Sequence, residues 1–202
     1  MKLFYTPGAC SMFPHMVLRE AGFQPTLVRV DLATHKTEGG EDFYAVNPKG
    51  YVPALQLDDG QVLTEAAIVS SYIADQKPQS GLLPASGLER YRVLELVHFI
   101  ATEIHKNYSQ LFNPALPEEQ RKAVLAKIDS RLALLEKQYG QREFLVGNGF
   151  TLADAYLFTM LTWGKKMGPD LSKVPGLVAH HDRIGKRPAV LAMLEAEGLL
   201  KK

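Results

Sequence analysis

Apolar residues follow two rhythms along this chain. Up to about residue 76, short apolar runs alternate with helical spacing, and beyond residue 87 the spacing is helical throughout. Lys2–Tyr5 is an apolar run closed by Thr6-Pro7-Gly8, which predicts a buried strand ending in a turn. From Ser11 to Ala21, Met12, Met16 and Leu18 lie near helical spacing, and Gly22 is a natural stop. Leu27–Leu32 reads as a second strand, followed by a polar stretch, His35 to Asp42, and a turn-rich segment, Asn47–Pro53. Ala54–Leu57 and Gln61–Leu63 predict two strands joined across Asp58-Asp59-Gly60, a strong hairpin signal. Thr64-Glu65 opens a helix that runs to about Gln76.

The resulting order is β-α-β-(loop or short helix)-β-β-α. Its first βαβ implies a parallel pair with a right-handed crossover, and the hairpin adds antiparallel strands. That order matches a thioredoxin-like fold. Residues 78–87, rich in Pro, Gly and Ser, form the linker candidate. Everything after it is helical. Leu88–Phe112 places apolar residues at 93, 97, 100, 104, 108 and 111; further helices are expected over Glu118–Tyr139, Thr151–Met167, Val174–Lys186 and Ala189–Ala196. The predicted class is α/β plus all-α: a thioredoxin-like N-terminal domain, 1–77, a linker, and an all-helical C-terminal domain, 88–202.

Composition narrows the possible partners. The 202 residues carry a formal net charge of +1, without the basic bias of a nucleic-acid footprint. No run of like charges suits a membrane surface, and no apolar run is long enough to span one. One cysteine cannot form an internal disulfide, and the N-terminus has no apolar core of signal-peptide length. A reducing, cytoplasmic location is the expectation. No zinc-ligand spacing occurs; the adjacent His180-His181 diverge on a helix and are expected at the surface.

Three places in the first domain offer chemistry. Cys10 falls between the first strand and the first helix, where unpaired N–H groups are expected to lower its pKa and favour the reactive thiolate. The bland alternative is a buried cysteine acting as a small apolar residue. With no second cysteine in Cys10-Ser11-Met12-Phe13, a dithiol cycle is excluded, and pairing with an external thiol stays open. Val52-Pro53 is either a loop proline or a cis bond that turns the Val52 backbone towards a peptide-like ligand. At Thr64-Glu65-Ala66 a helix start can hold a carboxylate while Glu65 holds an amine, which suits an α-amino-acid end such as the γ-glutamyl group of glutathione; equally, Glu65 can simply complement the helix dipole. In the second domain, His98, Thr102, His105 and Ser109 share one helix face, either a solvated face or the wall of a cleft. Thr151-Leu-Ala-Asp154 is a capping box, which gives Asp154 a structural role.

With these residues in place, the chain resembles the glutathione transferases, most closely the bacterial beta class. MKLFYTPGAC, Asn47–Pro53, Leu63-Thr64-Glu65, Glu103-Ile104-His105-Lys106 and Phe150–Phe158 carry the resemblance in the family's order. It implies that Cys10 sits beside the glutathione sulfur and that Val52-Pro53 is cis, with the Val52 backbone holding the cysteinyl part. It implies that Glu65 and the backbone of Ala66 hold the γ-glutamyl end, and that His105 points at the sulfur with Lys106 adding positive charge. A basic contact after the second strand falls on His35, with Lys36 as the alternative donor. His98, Thr102 and Glu103 complete the implied binding set, although Glu103 lies off the polar face. Tyr156, Met160 and Trp163 are placed in the core or in the wall of a substrate pocket, and Phe13 and Phe112 among the residues that set its specificity. The implied activity is conjugation of glutathione, a co-substrate rather than a cofactor, to small electrophilic, mostly apolar substrates by a cytosolic homodimer. Two rival readings are a thiol-disulfide transferase using Cys10 on the same scaffold and a non-catalytic ligand-binding protein.

Overall fold

A computed structural model describes residues 1–200; the last two residues of the predicted helical domain lie outside the described residues. Two compact units account for the chain. One comprises residues 1–83 together with the segment from Arg187 onward, and the other comprises Pro84–Lys186.

The first unit is built on a five-stranded sheet. β1 (Lys2–Tyr5) pairs in parallel with β2 (Thr26–Asp31) and antiparallel with β4 (Ala54–Gln56), which pairs antiparallel with β5 (Val62–Thr64). A two-residue edge strand, β3 (Lys36–Thr37), completes the order β3-β2-β1-β4-β5. α1 (Met12–Glu20) buries Met12 through Leu18 without interruption and accommodates Pro14 in its first turn, where no intrahelical N–H bond is forfeited. It stops at Gly22, whose φ of +78° lets the Phe23 N–H reach back to Leu18 O at 2.9 Å. α2 (Ala66–Gln76) packs on α1 and on β4 and β5. Phe4, Val30, Phe43, Val52 and Ala54 form an apolar cluster in this unit.

The second unit is helical: α3 (Gly87–Phe99), α4 (Lys106–Gln110), α5 (Glu118–Tyr139), α6 (Leu152–Met167) and α7 (Pro175–Ile184). α5 buries Val124, Ile128, Leu132 and Leu135, one stripe of a helix whose other faces are polar. The stripe predicted for 88–112 is buried at Val93, Val97, Ile100, Ile104, Tyr108 and Leu111. The element itself is not one α-helix, because Ile100–His105 is a π-helical turn between α3 and α4. A π turn takes up one extra residue and re-aims the side chains that follow it, and apolar spacing carries no signal of it.

The last helix, α8 (Pro188–Ala196), expected in the helical domain, packs instead on α1 in the first unit. Val190 and Met193 are its buried apolar contacts, and Arg187 clasps Glu20 with Nε–Oε1 at 2.6 Å and Nη2–Oε2 at 2.9 Å. His180 and His181, expected at the surface, are buried. His181 stacks on Phe158 with ring centroids 4.5 Å apart, and its burial lowers its pKa from the ordinary histidine value. His180 Nε2 lies 2.8 Å from Asp154 Oδ1.

Asp154 is fully buried at the start of α6. The capping box with Thr151 is present, and Asp154 Oδ2 accepts from the Thr151 N–H and hydroxyl, each at 2.8 Å. Oδ1 accepts from the Leu145 N–H at 2.9 Å as well as facing His180. The carboxylate therefore joins α6, α7 and the segment before α6, which exceeds a simple cap. Thr151→Ala is expected to cost about 1 kcal/mol. Asp154→Ala is expected to cost about 3 kcal/mol or more, because it orphans several buried donors at once. Urea unfolding midpoints of the two variants check the difference; equal losses would reduce Asp154 to a cap alone.

Candidate active site

On the first unit the residues of interest surround the turn from Thr6 to Ser11. Thr6 N–H donates to Ser11 Oγ and Ser11 Oγ donates to Thr6 O, both at 3.2 Å, while Thr6 Oγ1 donates to Val30 O at 2.7 Å. Gly8 adopts φ +74°, a conformation that side chains disfavour. Its N–H donates to Glu197 Oε2 at 2.9 Å, and Glu197 Oε1 lies 2.8 Å from His15 Nδ1. Arg19 Nε donates to His15 Nε2 at 3.4 Å, so the ring proton shared with Glu197 is placed on Nδ1. The side chains of His15 and Glu197 are both fully buried. One carboxylate thus fixes the loop ahead of Cys10 to α1 and to the end of α8.

Cys10 is half-buried, and its Sγ donates to Val52 O at 3.3 Å. Burial pushes its pKa up to about 12; the N–H groups of Cys10 and Ser11 pull the other way, and the charge of Glu65 adds to the rise. The sequence expectation of a lowered pKa is overturned because desolvation outweighs the local N–H dipoles. Cys10 also precedes the helix proper, which begins at Met12 behind the cap residue Ser11. As a thiol, Cys10 can donate to the carbonyl that its Sγ faces.

Val52 is buried and its bond to Pro53 is cis. Glu65 caps α2 with φ +69° and ψ +116°, a backbone conformation strained for a residue with a side chain and concentrated at functional sites. Ala66 beside it is buried. His35 has φ +53°, and its ring sits 4.5 Å from that of Tyr44. Both rings press on Gly50, where a Cβ would come within 2.7 Å of Tyr44 and 3.1 Å of His35. Lys36, the alternative basic donor, lies exposed in β3. Lys49, which sequence reasoning passed over, reaches across to Glu65 Oε1 at 2.6 Å and Thr64 Oγ1 at 3.1 Å.

On the second unit, His105 Nδ1 lies 2.7 Å from the Tyr156 hydroxyl, and its ring meets Trp163 edge-on at 5.1 Å. Phe112 also stands edge-on to Trp163, at 4.9 Å, and is more than half exposed. His105 is thereby held by two aromatic side chains of α6 while remaining half-buried. His98, Thr102, Lys106 and Ser109 are exposed, as a polar stripe requires. Glu103 lies off that stripe and is engaged by α5: Arg131 Nε at 2.7 Å and Lys127 Nζ at 3.8 Å. The bond from Arg131 holds its carboxyl below the usual range. Among the described residues no group of three or more His, Cys, Asp or Glu gathers as a metal site, and no helix is long and apolar enough to cross a membrane.

Neither His15 nor Glu197 was legible as part of the site. The two are 182 positions apart, and nothing in local spacing links them. Lys49 carried a weak signal, a cation inside the turn-rich segment that precedes Val52.

Comparison with known proteins bears on the whole chain. Residues 9–76 match the family described as Glutathione S-transferase, N-terminal domain, and residues 96–188 match Glutathione S-transferase, C-terminal domain. Glutathione S-transferase GstA of Escherichia coli O157:H7 is 44% identical over 200 residues, covering 98% of this chain and all of that protein. A solved sphingomonad glutathione S-transferase complexed with glutathione is 49% identical with a TM-score of 0.94, covering 99% of this chain and all of that one. A bacterial beta class glutathione S-transferase from Sphingomonas chungbukensis is 47% identical with a TM-score of 0.95, with the same coverage.

The raised pKa of Cys10 sets a direct expectation. With a pKa pushed up to about 12 the thiol should carry little thiolate at pH 8, so iodoacetamide should alkylate Cys10 in the ligand-free protein about a hundredfold more slowly than free cysteine at that pH. The rate should climb steeply as pH rises further. Mass spectrometry of timed quenches measures it, and alkylation as fast as free cysteine would contradict the raised pKa.

Proposed function

The chain belongs to the glutathione S-transferase family, alongside its bacterial beta class, and from that premise we propose that it conjugates the glutathione thiolate to small electrophilic, mostly apolar substrates. The observation that carries this reading is the arrangement on the first unit, where Cys10 Sγ faces the Val52 carbonyl and a strained Glu65 stands at the start of α2. We assign the cysteinyl part of glutathione to the Val52 backbone and the γ-glutamyl end to Glu65 and the Ala66 N–H. Free N–H groups at a helix start suit its carboxylate and Glu65 suits its amine. His35 is the assigned basic contact, and it is the ring already set against Tyr44 and Gly50.

From the second unit we assign His105 the role of stabilising the co-substrate thiolate, a task for which an imidazole near neutral pH is suited. His98, Thr102 and Lys106 are secondary polar contacts in this reading, and Glu103 is left to its structural pair with Arg131. Phe112 on Trp163 offers an apolar surface for the electrophile. A homodimer in the cytoplasm, using glutathione without a further cofactor, is the setting we infer. Lowering the pKa of the bound co-substrate thiol towards neutrality raises its thiolate fraction at small cost in nucleophilicity.

The thiol-disulfide transferase remains the second reading, because Cys10 is the one sulfur available to it. The contact of Cys10 Sγ with the Val52 carbonyl, together with the upward pKa shift that burial causes, favours conjugation through the substrate's own sulfur instead. Wild type and Cys10→Ala compared with an activated aryl halide and with a glutathione mixed disulfide separate the two. Conjugation should survive in Cys10→Ala within about tenfold while disulfide transfer is lost; loss of conjugation by several orders of magnitude would make Cys10 indispensable to the conjugation step and overturn this reading. Glu65→Gln should weaken glutathione binding about tenfold or more, the value of a charge-assisted bond. His105→Ala should displace the pH profile of conjugation towards higher pH, since the thiolate loses its stabiliser; an unmoved profile would remove His105 from the mechanism.

A further inference from the structure

The carboxylate assigned to the ligand's amino group already holds an ammonium. Lys49 Nζ lies 2.6 Å from Glu65 Oε1 and 3.1 Å from Thr64 Oγ1. A lysine ammonium and the α-ammonium of a γ-glutamyl group carry the same charge and the same three donors. We propose that Lys49 is an internal competitor for the glutathione amino group, occupying Glu65 when the site is empty and displaced when glutathione binds. The proposal rests on the assignment of Glu65 to the γ-glutamyl end.

The main chains on both sides of this contact are fixed. Glu65 is pinned at φ +69°. The Lys49 N–H donates to Asn47 Oδ1 at 3.2 Å, and the buried Asn47 donates through Nδ2 to Tyr51 O at 2.7 Å. Gly50 is backed against Tyr44 and His35. What crosses from loop to helix start is only the four-carbon stem of Lys49, the part with rotamer freedom to leave. The pair is also weak enough to be exchanged. Its side chains are 51% and 66% exposed, and pairs so exposed contribute little. A second ammonium on the other Glu65 oxygen would bring two like charges together, so the ligand amine and Lys49 weaken each other's hold on the carboxylate.

Lys49 therefore keeps Glu65 compensated in the empty site and reduces the benefit that the ligand's amine can draw from it. A purely structural tie between the 47–53 loop and α2 would affect every ligand of the site alike. Competition acts only on ligands that carry the amine. The discriminating probe is glutathione against its deaminated analogue, in which the γ-glutamyl amino group is replaced by hydrogen.

Titration calorimetry of wild type and Lys49→Met with both ligands tests this. The ratio of glutathione affinity to analogue affinity should rise about two- to fivefold in Lys49→Met, as an exposed ion pair permits. Any equal change in the two affinities cancels in that ratio. If both proteins prefer glutathione by the same factor, the competition is overturned and the Glu65 assignment stands. If neither protein distinguishes the two ligands, the Glu65 assignment falls and the competition with it.

Discussion

Glu197 is the carboxylate on which the first unit turns. It is buried without exposure, with His15 Nδ1 on one oxygen and the Gly8 N–H on the other. An unpaired charge so placed would cost several kcal/mol, about as much as a domain can spare. The pair therefore holds only if α1, α8 and the turn ahead of Cys10 are all in register. The Thr6–Ser11 hydroxyl exchange and the left-handed Gly8 fit around that anchor. The turn ahead of Cys10 is thus anchored by Glu197, 189 positions from Gly8, as well as by the start of its own helix.

Burial sorts the acidic residues into those that hold structure and those left for a ligand. Asp154 and Glu197 are sealed and have each oxygen engaged. Glu103 is half-buried and spends its carboxylate on Arg131. Glu65 is exposed and meets only flexible or exchangeable partners, with its backbone strained into place. Strain of this kind is sustained by the surrounding structure and pre-sets a group for use. Cys10 follows the same logic in reverse, since its partial burial raises its pKa and disfavours the anion.

Most of the architecture was legible because it depends on short-range signals. The Lys2–Tyr5 strand matches its predicted bounds, as does the Glu118–Tyr139 helix, and the Asp58-Asp59-Gly60 hairpin and the Thr151–Asp154 box fall where their turn and cap chemistry placed them. What escaped the sequence depends on long-range packing or on summed electrostatics. β3 is two residues long and exists through its pairing with β2. The π turn at Ile100–His105 leaves the apolar stripe intact, so periodicity passes over it. His180 reads as polar and becomes core only because Asp154 is there to receive it. The direction of the Cys10 shift needed a comparison of desolvation with two N–H dipoles, and burial is a tertiary quantity. The bend at Val52-Pro53 and the helix start at Glu65-Ala66 were legible because a proline marks the first and the change of apolar spacing the second.

The placement of α8 also orders the protein's synthesis. Residues 84–186 form a contiguous unit whose every segment is synthesised before the chain beyond Arg187. The first unit has its sheet early but lacks Glu197 until the segment beyond Arg187 is made. Domains fold as units during synthesis, so of the two units the one begun first is completed second. Until α8 emerges, the nascent chain carries an unanchored Cys10 turn and an uncovered face of α1, and both are secured when that helix arrives.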